Sequence, residues 1–197
     1  EKAQFEVPGH RWADLSEPGL GFSIINDCKY GYDIKDNLMR LTLLKSPNYP
    51  DETADYGLHE FTYSLYTHQG IYYKSKLLKH ANDLNRPLLK KDIETSNVID
   101  NNNNLSYSFA KIMKGNSKLE VIKKSEQNPN EIILRLYEPY GGKDKVEIEI
   151  AKNIQNATIV NLIENKVEEK VKYNNNKLSF KMNPFEIKTI KLKLIDN

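Results

Sequence analysis

The sequence has a single cysteine, Cys28, so no disulfide can form within the chain. That fits a reducing compartment, and a cytoplasmic location is the expectation. No run approaches the roughly 20 apolar residues that a helix needs to cross a bilayer. Neither sign of charge dominates: 29 Lys and Arg stand against 27 Asp and Glu, for a net charge of +2. The two signs are interspersed, so neither nucleic acid nor a membrane is expected as a partner. The short pairs Lys90-Lys91 and Lys123-Lys124 have acids close by and read as solvated surface. Four histidines are present (His10, His59, His68, His80), but no H-x-x-x-H or H-x-D pattern, and there is no second thiolate. No metal site is expected within this chain. A glycine-rich phosphate loop and a nucleophile elbow are missing as well. Nor is a signal peptide visible. The chain opens inside what reads as a strand rather than at a methionine, so its start reads as internal to a longer protein.

What is present is enough to build a core, with 39% hydrophobic and 28% charged residues. Period-two alternation dominates, as in a strand whose side chains point alternately to two faces. In His59 to His68, Phe61, Tyr63 and Leu65 fall on one face, and Glu60, Thr62, Ser64 and Tyr66 on the other. Met39-Leu41-Leu43 repeats the pattern, followed by Ile132-Leu134-Leu136, Val146-Ile148-Ile150, Leu178-Phe180-Met182 and Ile190-Leu192-Leu194, with Lys191 and Lys193 outward. Segments of this length, separated by turn residues, predict β-sandwiches. Asn174-Asn175-Asn176 fits a hairpin turn, because Asn tolerates positive φ. One helix is predicted from about Tyr73 to Leu84, where Tyr73, Leu77, Ala81 and Leu84 keep helical spacing and Pro87 stands beyond the end. The polar run Asn97 to Asn104 cannot bury enough apolar surface to offset the entropy of ordering it. It reads as a boundary between two β units: 1–90, a linker over 91–104, and 105–197.

Three segments carry residue types suited to a site. The first, E-V-P-G-H-R-W-A-D-L-S-E, brings His10, Arg11, Trp12, Asp14 and Glu17 into close order after Pro8-Gly9. A tryptophan ring beside acids and an arginine suits a sugar, since the ring stacks on pyranose C–H groups while the polar groups bond hydroxyls. The alternative is an interface loop, with Trp12 filling a core and Arg11 paired to Asp14. The second, N-D-C-K-Y-G-Y-D, places Asp27, Lys29, Tyr30 and Tyr32 around a turn at Gly31, with Lys29, Tyr30 and Tyr32 displayed. Asn26 and Cys28 are expected inward, the latter as a small buried thiol. The third runs from Ser46 to Tyr63. Its acids Asp51, Glu52 and Asp55 match no calcium loop and read as solvated.

Taken together, E-V-P-G-H-R-W-A-D-L-S-E, G-F-S-I-I-N-D-C-K-Y-G-Y-D and L-K-S-P-N-Y-P-D-E-T-A-D-Y-G-L-H-E-F-T-Y-S-L-Y resemble the C-terminal half of family 38 α-mannosidases. They are most similar to the branch found in bacteria and the eukaryotic cytosol. The later L-R-L-Y-E-P-Y-G-G and N-P-F-E-I-K-T-I resemble that branch's terminal sandwich. The resemblance implies an all-β chain, with one short helix between two parts. The first is the end of a large antiparallel β-sandwich (a supersandwich, galactose-mutarotase-like), and the second is a smaller terminal β-sandwich. It also implies a parent enzyme that hydrolyses terminal α-mannosides with retention, using zinc bound outside this chain. No catalytic residue and no metal ligand is assigned here, so the chain alone is expected to be inactive. Its implied partners are the N-terminal catalytic barrel of the same protein and α-mannoside glycans, with a homo-oligomer also open. His10, Arg11, Trp12, Asp14, Glu17, Asp27, Lys29, Tyr30 and Tyr32 are the candidates for a substrate rim or a domain interface. The alternative functions are a stand-alone carbohydrate-binding module, which needs exposed aromatics such as Trp12, Tyr30 and Tyr140, or a purely structural sandwich.

Overall fold

The computed structural model describes residues 6–92 and 106–195. The chain divides into two compact units, Glu1–Glu94 and Thr95–Asn197. Of the segment read as a linker, only residues 91 and 92 lie within the described part.

The first unit holds six strands: β1 (Val7–Pro8), β2 (Trp12–Ser16), β3 (Gly21–Asn26), β4 (Gly31–Lys35), β5 (Leu38–Leu41) and β6 (Tyr63–His68). They form two small antiparallel sheets, in the orders β1-β4-β5 and β2-β3-β6. Pro18 and Gly19 turn β2 into β3, and Glu17 N–H donates to Leu20 C=O at 2.8 Å. Helix α1 (Leu77–Asn85) lays Leu77 and Ala81 on Ile25 of β3, flanked by Trp12, Tyr66, Tyr72 and Leu84. It begins four residues later than the apolar spacing indicates. Tyr72–Lys74 is a single 3₁₀ turn, and the Ser75 hydroxyl accepts the Leu77 N–H at 3.1 Å while donating to Tyr72 C=O. That side chain takes over a backbone donor and restarts the helix. Pro87, which has no N–H to continue the ladder, follows its end. The strand expected from His59 pairs only from Tyr63, because its partner β3 ends at Asn26. Its inner face is that of Tyr66 and His68, while Leu65 on the other face is 61% exposed.

The second unit is a sandwich of two antiparallel sheets. Its strands are β7 (Ala110–Lys114), β8 (Lys118–Lys124), β9 (Glu131–Tyr137), β10 (Asp144–Ile150), β11 (Ile154–Val160), β12 (Val167–Lys170), β13 (Lys172–Asn174), β14 (Lys177–Met182) and β15 (Ile187–Leu194). One sheet runs β13-β14-β10-β7 and the other β12-β11-β15-β9-β8. Between them Leu134, Leu136, Val146, Ile148, Ile150, Leu178, Phe180, Met182, Ile190 and Leu192 form one buried cluster, so the alternating runs turn their apolar sides inward. Asn175, at φ +51°, turns β13 into β14, and Asn176 Nδ2 donates to Ile150 C=O at 2.9 Å.

Carboxylates close the turns of this sandwich. Glu138 is 3% exposed and accepts backbone N–H bonds from Tyr140, Gly141, Gly142 and Phe185 at 2.7–3.2 Å. The motifs E-P-Y-G-G and N-P-F-E are thereby tied together. Asp144 accepts from the N–H groups of Asn116 and Ser117 and from the Ser117 hydroxyl, each at 2.8 Å. Glu164 is buried and receives Lys123 Nζ at 2.8 Å, Glu126 N–H at 3.0 Å and the Ser125 hydroxyl at 3.3 Å. Burial pushes both acids up, but the Ser117 and Asn116 donors at Asp144, and Lys123 with Glu126 and Ser125 at Glu164, outweigh it. Both therefore sit below the ordinary carboxylate range.

Two outcomes follow from these packings. In hydrogen exchange on the 197-residue chain, amides of β9, β10 and β15 should be protected more strongly than those of β2 and β3, whose buried apolar cluster is far smaller. Equal or reversed protection would refute this. Because the folded values of Asp144 and Glu164 lie below their unfolded ones, about 3.9 and 4.3, their stabilisation is present above pH 4–5 and lost as pH falls through and below about 4. Acid melts of Asp144→Asn and Glu164→Gln should show a weaker pH dependence than the unaltered chain, with lower stability at pH 7.

Candidate functional site

The first two motifs form one structure at one end of the first unit. Asn26 N–H donates to Arg11 C=O at 2.9 Å, and Gly9 N–H donates to Tyr30 C=O at 2.9 Å. The His10 and Tyr30 rings stack with centroids 4.6 Å apart and planes 16° off parallel. Arg11 has φ +69°, a left-handed kink that carries the chain from β1 into β2.

Asn26 holds this junction and is 0% exposed. Its Oδ1 accepts Lys29 N–H at 2.8 Å, its Nδ2 donates to the Tyr32 hydroxyl, and its C=O accepts Asn85 Nδ2 from α1 at 2.9 Å. Asp27 accepts Thr62 N–H at 3.0 and 3.1 Å on its two oxygens, and its own N–H donates to Thr62 C=O. Lys29 Nζ lies 4.9 Å from the centre of the Phe61 ring, so the end of the third segment closes the same corner. Phe61, Thr62 and Asn85 were not candidates from sequence; only the tertiary pairing of residues 26–29 with residues 61–62 and with α1 brings them in.

The candidate residues separate into three places. His10, Asp27, Lys29 and Tyr30 share the surface of the junction, with Arg11 beside them. Trp12, Asp14 and Tyr32 face inward. Trp12 packs under α1, its ring 5.4 Å from that of Tyr72. Asp14 Oδ1 accepts the Ser23 hydroxyl at 2.5 Å and faces His68 Nε2 at 2.8 Å, with both side chains of the Asp14–His68 pair almost fully buried. The partners of Asp14 are thus Ser23 and His68. A Cβ on Gly21 would come within 2.0 Å of the His68 ring, so only glycine admits the imidazole there. Glu17 is exposed at the far end of β2, five residues beyond Trp12 and about 17 Å away at strand rise.

Two expectations require correction. Tyr32 is not displayed: it is 1% exposed, its hydroxyl is engaged by Asn26, and burial pushes its pKa up. Cys28 is not buried. β3 ends at Asn26, so alternation stops before residue 28 and the thiol is exposed. Its bond to Asp27 raises the thiol pKa, and the same bond, ahead of Thr62 N–H, holds Asp27 below its usual value. In the third segment Asp51 accepts from Thr53 and Asp55 from Ser46 N–H. Among the described residues, no group of three or more His, Cys, Asp or Glu gathers in a way that could hold a metal ion. No helix among them is long and apolar enough to cross a membrane.

Comparisons with known proteins match the sequence of this chain to a family. The profile of the glycosyl hydrolases family 38 C-terminal domain matches residues 1–53, and that of the family 38 C-terminal beta sandwich domain matches residues 116–190. Human alpha-mannosidase 2C1 is 34% identical over 195 residues, covering 98% of this chain and 18% of the human protein. Alpha-mannosidase G of Dictyostelium discoideum is 35% identical over 193 residues, covering 96% and 17%. The chain spans 17–19% of the length of the curated relatives it matches. The crystal structure of an alpha-mannosidase from Enterococcus faecalis superposes with a TM-score of 0.65 at 16% identity, over 94% of this chain and 21% of that one, which shows a shared fold.

The junction should be limited by Asn26. Asn26→Ala leaves the Tyr32 hydroxyl and Lys29 N–H without their buried partner, and should cost about 2–4 kcal/mol. Tyr32→Phe removes one hydroxyl and should cost about 1 kcal/mol. Thermal or urea melts of the 197-residue chain check the order; equal small losses would refute the hub.

Proposed function

Because this chain belongs to glycosyl hydrolase family 38, contributing its C-terminal β-domains, we propose that it is the C-terminal region of an α-mannosidase that packs on a catalytic barrel and borders the sugar site. Residues 1–90 end the large sandwich and 105–197 form the terminal one. The single observation that carries the rim assignment is the junction held by Asn26, which gathers a stacked His10–Tyr30 pair, the carboxylate of Asp27 and the ammonium of Lys29 on one corner. Such a corner can stack on a sugar face and bond its hydroxyls. Trp12, Asp14 and Tyr32 support it from behind, and Glu17 belongs to a domain contact. With Trp12 packed under α1, a stand-alone carbohydrate-binding module loses its best platform.

The parent enzyme hydrolyses terminal α-mannosides with retention, which needs two carboxyl groups about 5–5.5 Å apart flanking the bond. Among the described residues no donor cluster fits zinc, and in this reading the metal is held by the part of the parent outside this chain. The cytoplasm suits a chain with one cysteine.

The parent protein should release mannose from an aryl α-mannoside, and this chain alone should not. In the parent, Lys29→Ala should lower kcat/KM by roughly tenfold or more, about 1.4 kcal/mol of transition-state binding, with little change in Tm. Unchanged kinetics with a lowered Tm would make Lys29 structural and remove it from the rim.

A further inference from the structure

The third segment, from Ser46 to Tyr63, enters the corner only through its last residues, yet the loop it forms is rooted there at both ends. Ahead of it, Thr42 N–H donates to Gly31 C=O at 2.9 Å. At its close, Thr62 N–H donates to the Asp27 carboxylate, Asp27 N–H donates to Thr62 C=O, and Phe61 lies beside Lys29 Nζ. The chain between leaves the turn of residues 27–31 and returns to it.

Little of that loop is buried. Of residues 44–60 only Ala54 is partly covered, and the others are exposed. Hydrogen bonds hold it instead. Ser46 N–H donates to the Asp55 carboxylate at 2.9 Å, and His59 Nε2 donates to Asp55 C=O at 2.7 Å. Asp51 accepts the Thr53 N–H and hydroxyl at 2.9 and 2.8 Å. Ala54 N–H returns to Asp51 C=O, and Tyr56 N–H to Thr53 C=O. Compact loops whose ends meet are braced from within, and they commonly carry function.

Two tyrosine rings stand on this frame. Tyr49 is 87% exposed and Tyr56 is 77% exposed. Tyrosine presents a large flat ring with a hydroxyl at its tip, and it loses little rotamer freedom when a ligand covers it. Beside the rings the loop carries Asp51, Glu52, Asp55 and Glu60, against Lys45 as its one lysine or arginine. The core of a protein interface is depleted of charge, and a polyanion would be repelled by these acids. Rings beside carboxylates that accept from hydroxyls suit an uncharged sugar.

We propose that this loop is a further sugar subsite of the corner, in which Tyr49 and Tyr56 stack on the sugar that carries the terminal mannoside. The Glu52 carboxylate accepts from the hydroxyls of that sugar. The proposal rests on the reading that the corner borders the sugar site. It makes this chain a determinant of glycan length, favouring oligosaccharides over single mannosides.

The test compares two substrates of the full-length parent: α-mannosyl fluoride, which has no sugar on its leaving side, and an α-linked mannotriose. The double variant Tyr49→Ala, Tyr56→Ala should lower kcat/KM for mannotriose by roughly tenfold, about 1.4 kcal/mol, and for the fluoride by less than about twofold. Tyr49→Phe, Tyr56→Phe keeps the rings and should hold the mannotriose value within about threefold of the unaltered parent. An equal loss on both substrates would overturn the proposal. So would no loss on either, or a Phe pair as weak as the Ala pair. Leu58 is 90% exposed on the same loop, so a docked domain is the competing use. A lowered parent Tm with an unchanged ratio between the two substrates would assign the loop to that contact and overturn the subsite. Should the double variant fail to fold, each single substitution decides by the same ratio. A parent that cleaves neither substrate counts against the proposed function, and calorimetry with mannotriose then decides the subsite. The Kd should weaken about tenfold in the Ala pair, and an equal or unmeasurable Kd would overturn the proposal.

Discussion

A single buried amide organises the first unit. Asn26 ends β3, and its polar atoms are distributed to four different places: the Arg11 carbonyl, the Lys29 amide, the Tyr32 hydroxyl and the α1 residue Asn85. Small sheets with short strands have little apolar area with which to fix their connections. A fully hydrogen-bonded polar group in a low-dielectric interior does it instead, since any rearrangement leaves several partners unsatisfied. The same amide thereby positions the turn that carries Asp27, Lys29 and Tyr30, and fold and candidate site rest on one group.

The second unit solves its turns by a related device on a larger apolar core. Glu138, Asp144 and Glu164 each point a carboxylate at clustered donors of a turn, so connections that would fray are pinned to the sandwich. Glu138 is the clearest case. The donors it collects come from residues 140–142 and from Phe185, distant in sequence, and Phe185 is thereby held at φ +57°. The two motifs that mark the terminal sandwich are one physical unit.

The division of candidate residues into surface, interior and distant sets has a consequence for function. Residues close in sequence, such as Arg11 and Trp12, do not act together: Arg11 lies at the kink before β2, whereas Trp12, on the inner face of β2, packs under α1. Those that meet, His10 with Tyr30 and Lys29 with Phe61, come from separate segments. The corner they make is small and polar.

Period-two runs with charges on the alternate positions were enough to read the second unit as a sandwich, to choose its core residues, and to place a turn at Asn175, because solvation of one face imposes that pattern on the chain itself. The motifs from Glu6 to Tyr66 likewise carried the family, since long ordered strings of residues survive without knowledge of contacts. Residues 93–105 lie outside the described part, so the asparagine run stays a reading from composition. What only the tertiary structure decided were the environments of single polar residues. Tyr32 and Asp14 look like binding groups in a string and are interior ones in space, Cys28 looks buried and is exposed, and α1 starts where the Ser75 hydroxyl intervenes. The reason is that alternation predicts a face only while a strand lasts. A hydrogen bond between residues far apart in sequence, such as Asp14 to His68, leaves no periodic trace.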